Sequence, residues 1–428
     1  MVECRWLAAR RFSSTIRGAK SKFFDGLCSS AKKMKMMMPQ RVYLDWNATA
    51  PLHDEARAAM TSAFGLVGNP SSIHGEGRQA RHLVEQARAQ VASLVGAEPR
   101  DVTFTSAGTE ANVLALTPAI EFGLAKASRD RLLMSAIEHP SVQLGHRFPA
   151  SQVEQVSVTA DGVVDLSALR ARLTELGHQG VRPLVSIMHA NNETGVVQPI
   201  AEAAAIVHAA GGLLHVDAVQ TAGRIDCDIN TLDADMLTLS GHKLGGPKGI
   251  GALVKRSDAL HLADPVIRGG GQERGSRAGT ENVIGIIGFG AAAATAVRHR
   301  KAEAVGMARL RERFEVGLRA ISAETVIFGL GVERVPNTTL FATPDIKAET
   351  ALIALDLEGI AVSSGAACSS GKVSASHVLA AMGVADSLAH GAIRVSLGPT
   401  TRDDEIDFFL KAWRKLVMGL SKGRGVAA

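Results

Sequence analysis

The chain has 428 residues, 46% hydrophobic and 21% charged, a globular composition with length enough for a large core and two domains. The net charge of +5 sits in residues 1–38, which hold nine Lys/Arg and two acids; the other 38 basic and 40 acidic residues give −2. Nothing about the body therefore points to nucleic acid, and no apolar run is long enough to suggest a membrane span.

The first 38 residues read as a basic leader, disordered or cleaved. They are rich in Arg and Ser, as organellar transit peptides are. The competing reading is an extension ahead of an internal start, because Met34, Met36, Met37 and Met38 crowd its end. The expected location is cytoplasmic, with the mitochondrial matrix as the alternative if residues 1–38 are a transit peptide. Patterned sequence begins at Gln40.

From there short apolar runs alternate with helical periodicity. The runs Val102–Ser106, Arg131–Ile137, Val153–Val158, Leu184–Met188, Leu213–Asp217, Met236–Leu239 and Gly251–Val254 predict strands. Helices are predicted over Arg78–Val95, Glu110–Phe122 and Ile200–Ala210. Such alternation predicts an α/β class, a large three-layer domain with a mainly parallel sheet. From about Ala291 the pattern changes. A long helix runs through Leu318, followed by Asn337–Phe341, a helix at Lys347–Leu357, strand-like Ile360–Ser363 and Ile393–Ser396, and a helix from Asp403. That predicts a smaller C-terminal α+β domain. The expected division is residues 52–295 for the large domain, with 39–51 and 296–428 in the small one.

Cys4 and Cys28 lie in the leader and Cys227 and Cys368 in the body, with no CxxC pair. Neither a structural zinc site nor a disulfide framework is supported. Cys227 sits among charges in Arg224-Ile225-Asp226-Cys227-Asp228 and reads as structural. Cys368 sits in the small-residue run Ser363–Gly371, where a thiol is poorly buried.

The segment Ser240-Gly241-His242-Lys243-Leu244-Gly245-Gly246-Pro247-Lys248-Gly249 carries the chemistry. A lysine that holds an aldehyde cofactor as a Schiff base needs hydroxyl, imidazole and backbone N–H donors for a phosphate. It also needs a carboxylate for a pyridinium nitrogen. Asp217 ends the apolar run 26 residues before Lys243. Ser106-Ala107-Gly108-Thr109-Glu110 follows a strand and opens a helix, a natural anion site. Glu138-His139-Pro140 and Asn191-Asn192-Glu193-Thr194-Gly195 follow two further strands, where open α/β sheets bind ligands.

Together with Tyr43-Leu44-Asp45, His215–Gln220, Arg277-Ala278-Gly279-Thr280 and Ser363–Ser370, these motifs resemble the pyridoxal-phosphate-dependent cysteine desulfurases. Those are fold type I enzymes of the class V aminotransferase superfamily. The resemblance spans residues 41 to 415 and is closest to the long-loop group serving iron–sulfur or nitrogenase assembly. It implies that Lys243 is the Schiff-base lysine and that Asp217 pairs with the pyridinium nitrogen. Gln220 would donate to the ring hydroxyl, and His139 would stack on the ring and shuttle protons. Gly108, Thr109, Ser240 and His242 would hold the phosphate, and Thr280 would reach a phosphate in the neighbouring subunit of a homodimer. Asn192 and Arg394 would bind the substrate carboxylate.

Cys368 would be the nucleophile that takes sulfur from L-cysteine as a persulfide and passes it to an iron–sulfur scaffold or other acceptor protein. No intrinsic metal is expected; Cys368 is a candidate transient iron–sulfur ligand on a scaffold. Trp46, Ala50 and Ala107 depart from the family's usual residues without removing a functional group. Selenocysteine lyase or another class V aminotransferase is the alternative reading.

Overall fold

The computed structural model describes residues 41–123, 128–365 and 376–425. The leader, Met38 and Cys368 lie outside the described residues. The chain divides after Val42, and the second unit, from Tyr43 onwards, holds the main sheet and its helices.

Seven strands form the main sheet: β1 (Val102–Thr105), β2 (Arg131–Ser135), β3 (Val153–Val156), β4 (Pro183–Met188), β5 (Leu213–Asp217), β6 (Met236–Ser240) and β7 (Gly251–Lys255). Their order is β1-β7-β6-β5-β4-β2-β3. The four pairings from β6 to β3 are parallel, and only those made by β7 are antiparallel. Period-two side chains explain the layers. Leu133, Val185, Ile187, Leu214, Val216, Leu237 and Leu239 enter one buried cluster. Their neighbours Leu132, Met134, Leu184, Leu213 and Met236 enter another. The sheet is apolar on both faces and is covered on both.

Helices α1 (Asp54–Ala63), α2 (Gly75–Leu94), α3 (Gly108–Ala115), α4 (Pro140–Gln143), α5 (Leu166–His178) and α6 (Ile200–Ala209) connect or cover these strands. The helix predicted over Glu110–Phe122 is shorter in the structure. It ends at Ala115, and Ile120–Phe122 is a strand paired antiparallel with Leu260–Leu262. Pro118 has no N–H to continue the helix, and Thr117 Oγ1 accepts the Ala119 N–H instead.

Helix α7 (Val283–Ile321) is continuous across residues 295 and 296. Its first half adds Ile286, Phe289, Ala292 and Ala293 to the large core. Its second half carries Phe314 into a ring cluster with Phe341, Phe409 and Trp413, whose ring centres lie 5.0 to 6.5 Å apart. A second sheet, β8 (Val326–Ile327), β9 (Thr338–Ala342), β10 (Ser363–Ser364) and β11 (Ile393–Ser396), is antiparallel in the order β8-β9-β11-β10. Helices α8 (Ala348–Leu357), α9 (His377–Ala381) and α10 (Asp403–Gly425) complete this region. The segment around Leu44 bonds to it through Ala361 and Ser396.

Candidate active site

A cavity of about 250 Å³ opens at the C-terminal ends of the parallel strands, where each strand's next residues are free of the ladder. Gly108, Thr109, His139, Asn192, Asp217, Gln220, Ser240, His242 and Lys243 all line it. Nine of the residues singled out from sequence therefore converge on one space from five different strand ends.

One end is built for an anion. Gly108 and Thr109 are the first two residues of α3, so their N–H groups have no acceptor within the helix. Ser240 ends β6; its Oγ is buried and has no hydrogen-bond partner among the described residues. A Cβ at Gly108 would come within 3.2 Å of the Ser240 side chain, and one at Gly251 within 2.4 Å of the Ala107 carbonyl carbon. Both glycines let the helix start sit against the strands. His242 lies beside them with Nδ1 3.2 Å from Thr49 Oγ1. Burial, together with Lys243, Lys248 and Arg224, lowers its pKa to about 4.

Asp217 ends β5 on the cavity wall. Its Oδ1 accepts the Val219 N–H at 3.0 Å and its Oδ2 accepts Asn112 Nδ2 at 2.9 Å, so the carboxylate is held in one orientation. Gln220, three residues on in a turn, donates from Nε2 to the Asn47 carbonyl at 3.2 Å. Its Oε1 faces the guanidinium of Arg224, which also donates to the Gln220, Trp46 and Lys243 carbonyls. Among the described residues, the hydrogen bonds of this buried cation run to neutral oxygens. Burial and the Arg394 charge lower its pKa to about 10.

Lys243 leaves a short 3₁₀ turn after β6. Its Nζ donates to the Asn47 carbonyl at 2.6 Å and the Ala48 carbonyl at 3.0 Å. Burial is the main cause that lowers its pKa to about 7; Arg394 and Arg224 push the same way, while Asp45 and Asp217 oppose them. The amine is thus poised to be neutral near pH 7. His139 presents an open face to the cavity, yet the protein packed around its other sides lowers its pKa.

Arg394, on β11, does not line this cavity but reaches its rim. It donates to the Asn192 carbonyl at 3.0 Å and to Asp45 Oδ1 at 2.8 Å, and its buried Nε has no partner among the described residues. Thr280 is exposed and lines a separate cavity of about 170 Å³ with Ser106 and Arg277. Cys227 is fully buried, with Sγ 3.6 Å from His189 Nδ1. Burial pushes its thiol up to about 12, which makes it inert.

Several residues that shape the site had no role assigned from sequence. Asn47 joins Lys243, Gln220, Asn192, Thr338 and Asn337 through its carbonyl and side chain. Asp45 bridges Arg394 and Ser363. Asn112 and Ser141 link Asp217 to His139. Asp45 stood in the motif Tyr43-Leu44-Asp45 without a role; for Asn112 the signal was helical spacing, three residues after Thr109.

The donors present fit one kind of group. They offer an orphaned hydroxyl and free amides for an anion, a fixed carboxylate for a ring nitrogen, and an amine near neutrality for an aldehyde. A model of the family described as Aminotransferase class-V matches residues 42–409. The chain is 42% identical to a cysteine desulfurase of Cereibacter sphaeroides over 387 residues, covering 88% of this chain and 96% of that one. It is 40% identical to the cysteine desulfurase NifS of Azotobacter vinelandii, covering 86% and 90%. The solved structure of a NifS-like protein from Rickettsia africae superposes with a TM-score of 0.79 at 36% identity, covering 88% and 99%. The chain belongs to the cysteine desulfurases of the class-V aminotransferase family, which depend on pyridoxal phosphate.

Proposed function

We propose that this protein converts L-cysteine to L-alanine and transfers the sulfur, as a Cys368 persulfide, to an acceptor for iron–sulfur cluster assembly. The observation that carries the reading is the meeting of Lys243, Asp217 and the Ser240–Gly108 anion cradle in one cavity. Pyridoxal 5'-phosphate would be held by Gly108, Thr109, Ser240 and His242 at its phosphate, by Asp217 at its ring nitrogen and by Gln220 at its hydroxyl. When bound it supplies an aldehyde for amine exchange and a conjugated ring that accepts electron density from the substrate's α-carbon.

The chain's own residues divide the remaining work. Arg394 has a buried Nε with no partner among the described residues, a donor suited to the substrate carboxylate, with Asn192 beside it. Lys243 holds a neutral amine that takes the α-proton at Nζ. Asp217 keeps a fixed carboxylate, oriented by Asn112 and the Val219 amide, so no reorganisation is needed when charge develops nearby. The Cys368 thiolate takes the substrate sulfur, and the carbon left behind gains a proton to become alanine. A homodimer would let Thr280 serve the phosphate of the neighbouring subunit. We place the enzyme in the cytoplasm; N-terminal sequencing of the protein from fractionated native cells decides between that and a matrix form shortened at residues 1–38.

The test is brief exposure of purified enzyme to L-cysteine, followed by alanine assay and peptide mass spectrometry. One extra sulfur atom is expected on the peptide containing Cys368, and Cys368→Ser should bind cofactor but release little alanine. Full alanine release by that variant, or the sulfur on Cys227 instead, would overturn the reading.

A further inference from the structure

His139 does two jobs in the fold, and the second constrains its chemistry. It caps α4: Nδ1 accepts the Ser141 backbone N–H at 3.1 Å. The same nitrogen lies 2.8 Å from Ser141 Oγ. Ser141 Oγ lies 2.9 Å from Asn112 Nδ2, and that nitrogen lies 2.9 Å from Asp217 Oδ2. Asn112 and Ser141 are both buried, so water does not replace any of these partners freely.

The direction of every bond in this chain follows from its end. An aspartate oxygen accepts, so Asn112 must turn its NH2, not its carbonyl, towards Asp217. The other hydrogen of that NH2 then goes to Ser141 Oγ. The Ser141 hydroxyl hydrogen is left to point at His139 Nδ1, which already faces the Ser141 amide hydrogen. A ring nitrogen that receives such donors carries no hydrogen of its own. An imidazolium would set an N–H on Nδ1 against both donors; without the hydroxyl, the nearer of the two at 2.8 Å, only the backbone N–H at 3.1 Å opposes it.

We propose that Ser141 and Asn112 are positioning residues that hold His139 as a neutral imidazole with its single hydrogen on Nε2, so that His139 serves the reaction as a hydrogen-bond donor and not as a proton base. The proton of the substrate's α-carbon is then left to Lys243. Around His139, burial disfavours a charged ring, Lys243 and His377 act in the same direction, and Asp217 alone opposes them. The proposal rests on the function proposed above only in assigning His139 to the cofactor cavity.

The experiment is nitrogen-15 NMR of the holoenzyme labelled in histidine, with His139→Gln for assignment, from about pH 6 to about pH 8.5. Wild type should show one His139 tautomer, protonated at Nε2, with no titration across the range. Ser141→Ala, which loses the hydroxyl donor, should give mixed tautomers or a ring that titrates. Its kcat should fall on the order of tenfold with KM nearly unchanged, and Ser141→Thr should restore both signals. A hydrogen on Nδ1 or an imidazolium in wild type near neutral pH overturns the proposal, and this measurement needs no variant to fold. Unchanged nitrogen shifts in a folded Ser141→Ala would remove Ser141 from the role. Visible cofactor absorbance in the same samples reports separately on the reading of the site itself.

Discussion

The pKa of Lys243 gives the sharpest quantitative expectation. A fall from the ordinary 10.5 to about 7 means that protonating this amine costs about 5 kcal/mol more here than in water. Near pH 7 about half of the lysine is neutral; at the ordinary value it would be roughly one part in 3,000. The sign is set by the base: the neutral amine is the reactive form, so reactivity rises with pH through about 7 and levels off above it. Arg224→Met removes one of the two cations that help burial lower the value, so the midpoint should move up, on the order of one pH unit. The assay is trace acetylation of cofactor-free protein at a series of pH values, with Lys243 modification read by mass spectrometry against the exposed Lys301. A Lys243 midpoint at the ordinary lysine value of 10.5 would refute the argument that burial and the two guanidiniums poise the amine. A folded Arg224→Met with the wild-type midpoint would remove Arg224 from the cause.

Two further outcomes are expected. Asp217→Asn should leave the fold intact but reduce kcat at least on the order of a hundredfold, as removal of a fixed catalytic charge does; steady-state alanine production within a few-fold of wild type would contradict its role. Gly251→Ala would press a Cβ to 2.4 Å from the Ala107 carbonyl carbon, costing about 1–3 kcal/mol and weakening cofactor retention by displacing the start of α3; calorimetry and cofactor release read the two effects.

The main sheet was legible because its strands are buried on both faces. Runs such as Leu213–Asp217 and Leu184–Met188 are apolar apart from Ser186, His215 and the terminal Asp217, and that pattern survives any detail of packing. Local competition was harder to read. The helix predicted over Glu110–Phe122 stops at Ala115 because Pro118 lies just beyond its end and the chain finds a partner strand in Leu260–Leu262. That partner is far away in sequence and has no local signature. The same holds for the pairing of the Leu44 segment with Ala361 and Ser396.

The candidate site divides along a similar line. Residues that would meet the cofactor directly announce themselves, because a phosphate, a ring nitrogen and an aldehyde each require a particular side chain at a strand end. The residues that hold those side chains are chosen by three-dimensional neighbourhood. Asn47 serves Lys243 and Gln220 through its main-chain oxygen, a role that any residue type fills and that no sequence pattern encodes. Arg224 looks like a surface charge in Gly223-Arg224-Ile225-Asp226, yet it is buried against four neutral oxygens. Burying a guanidinium without a hydrogen-bonded carboxylate is costly. It persists beside Lys243, where a positive charge that destabilises a protonated amine keeps that amine ready to react. The charge that looks least at home in the fold thus stands where the proposed chemistry needs it.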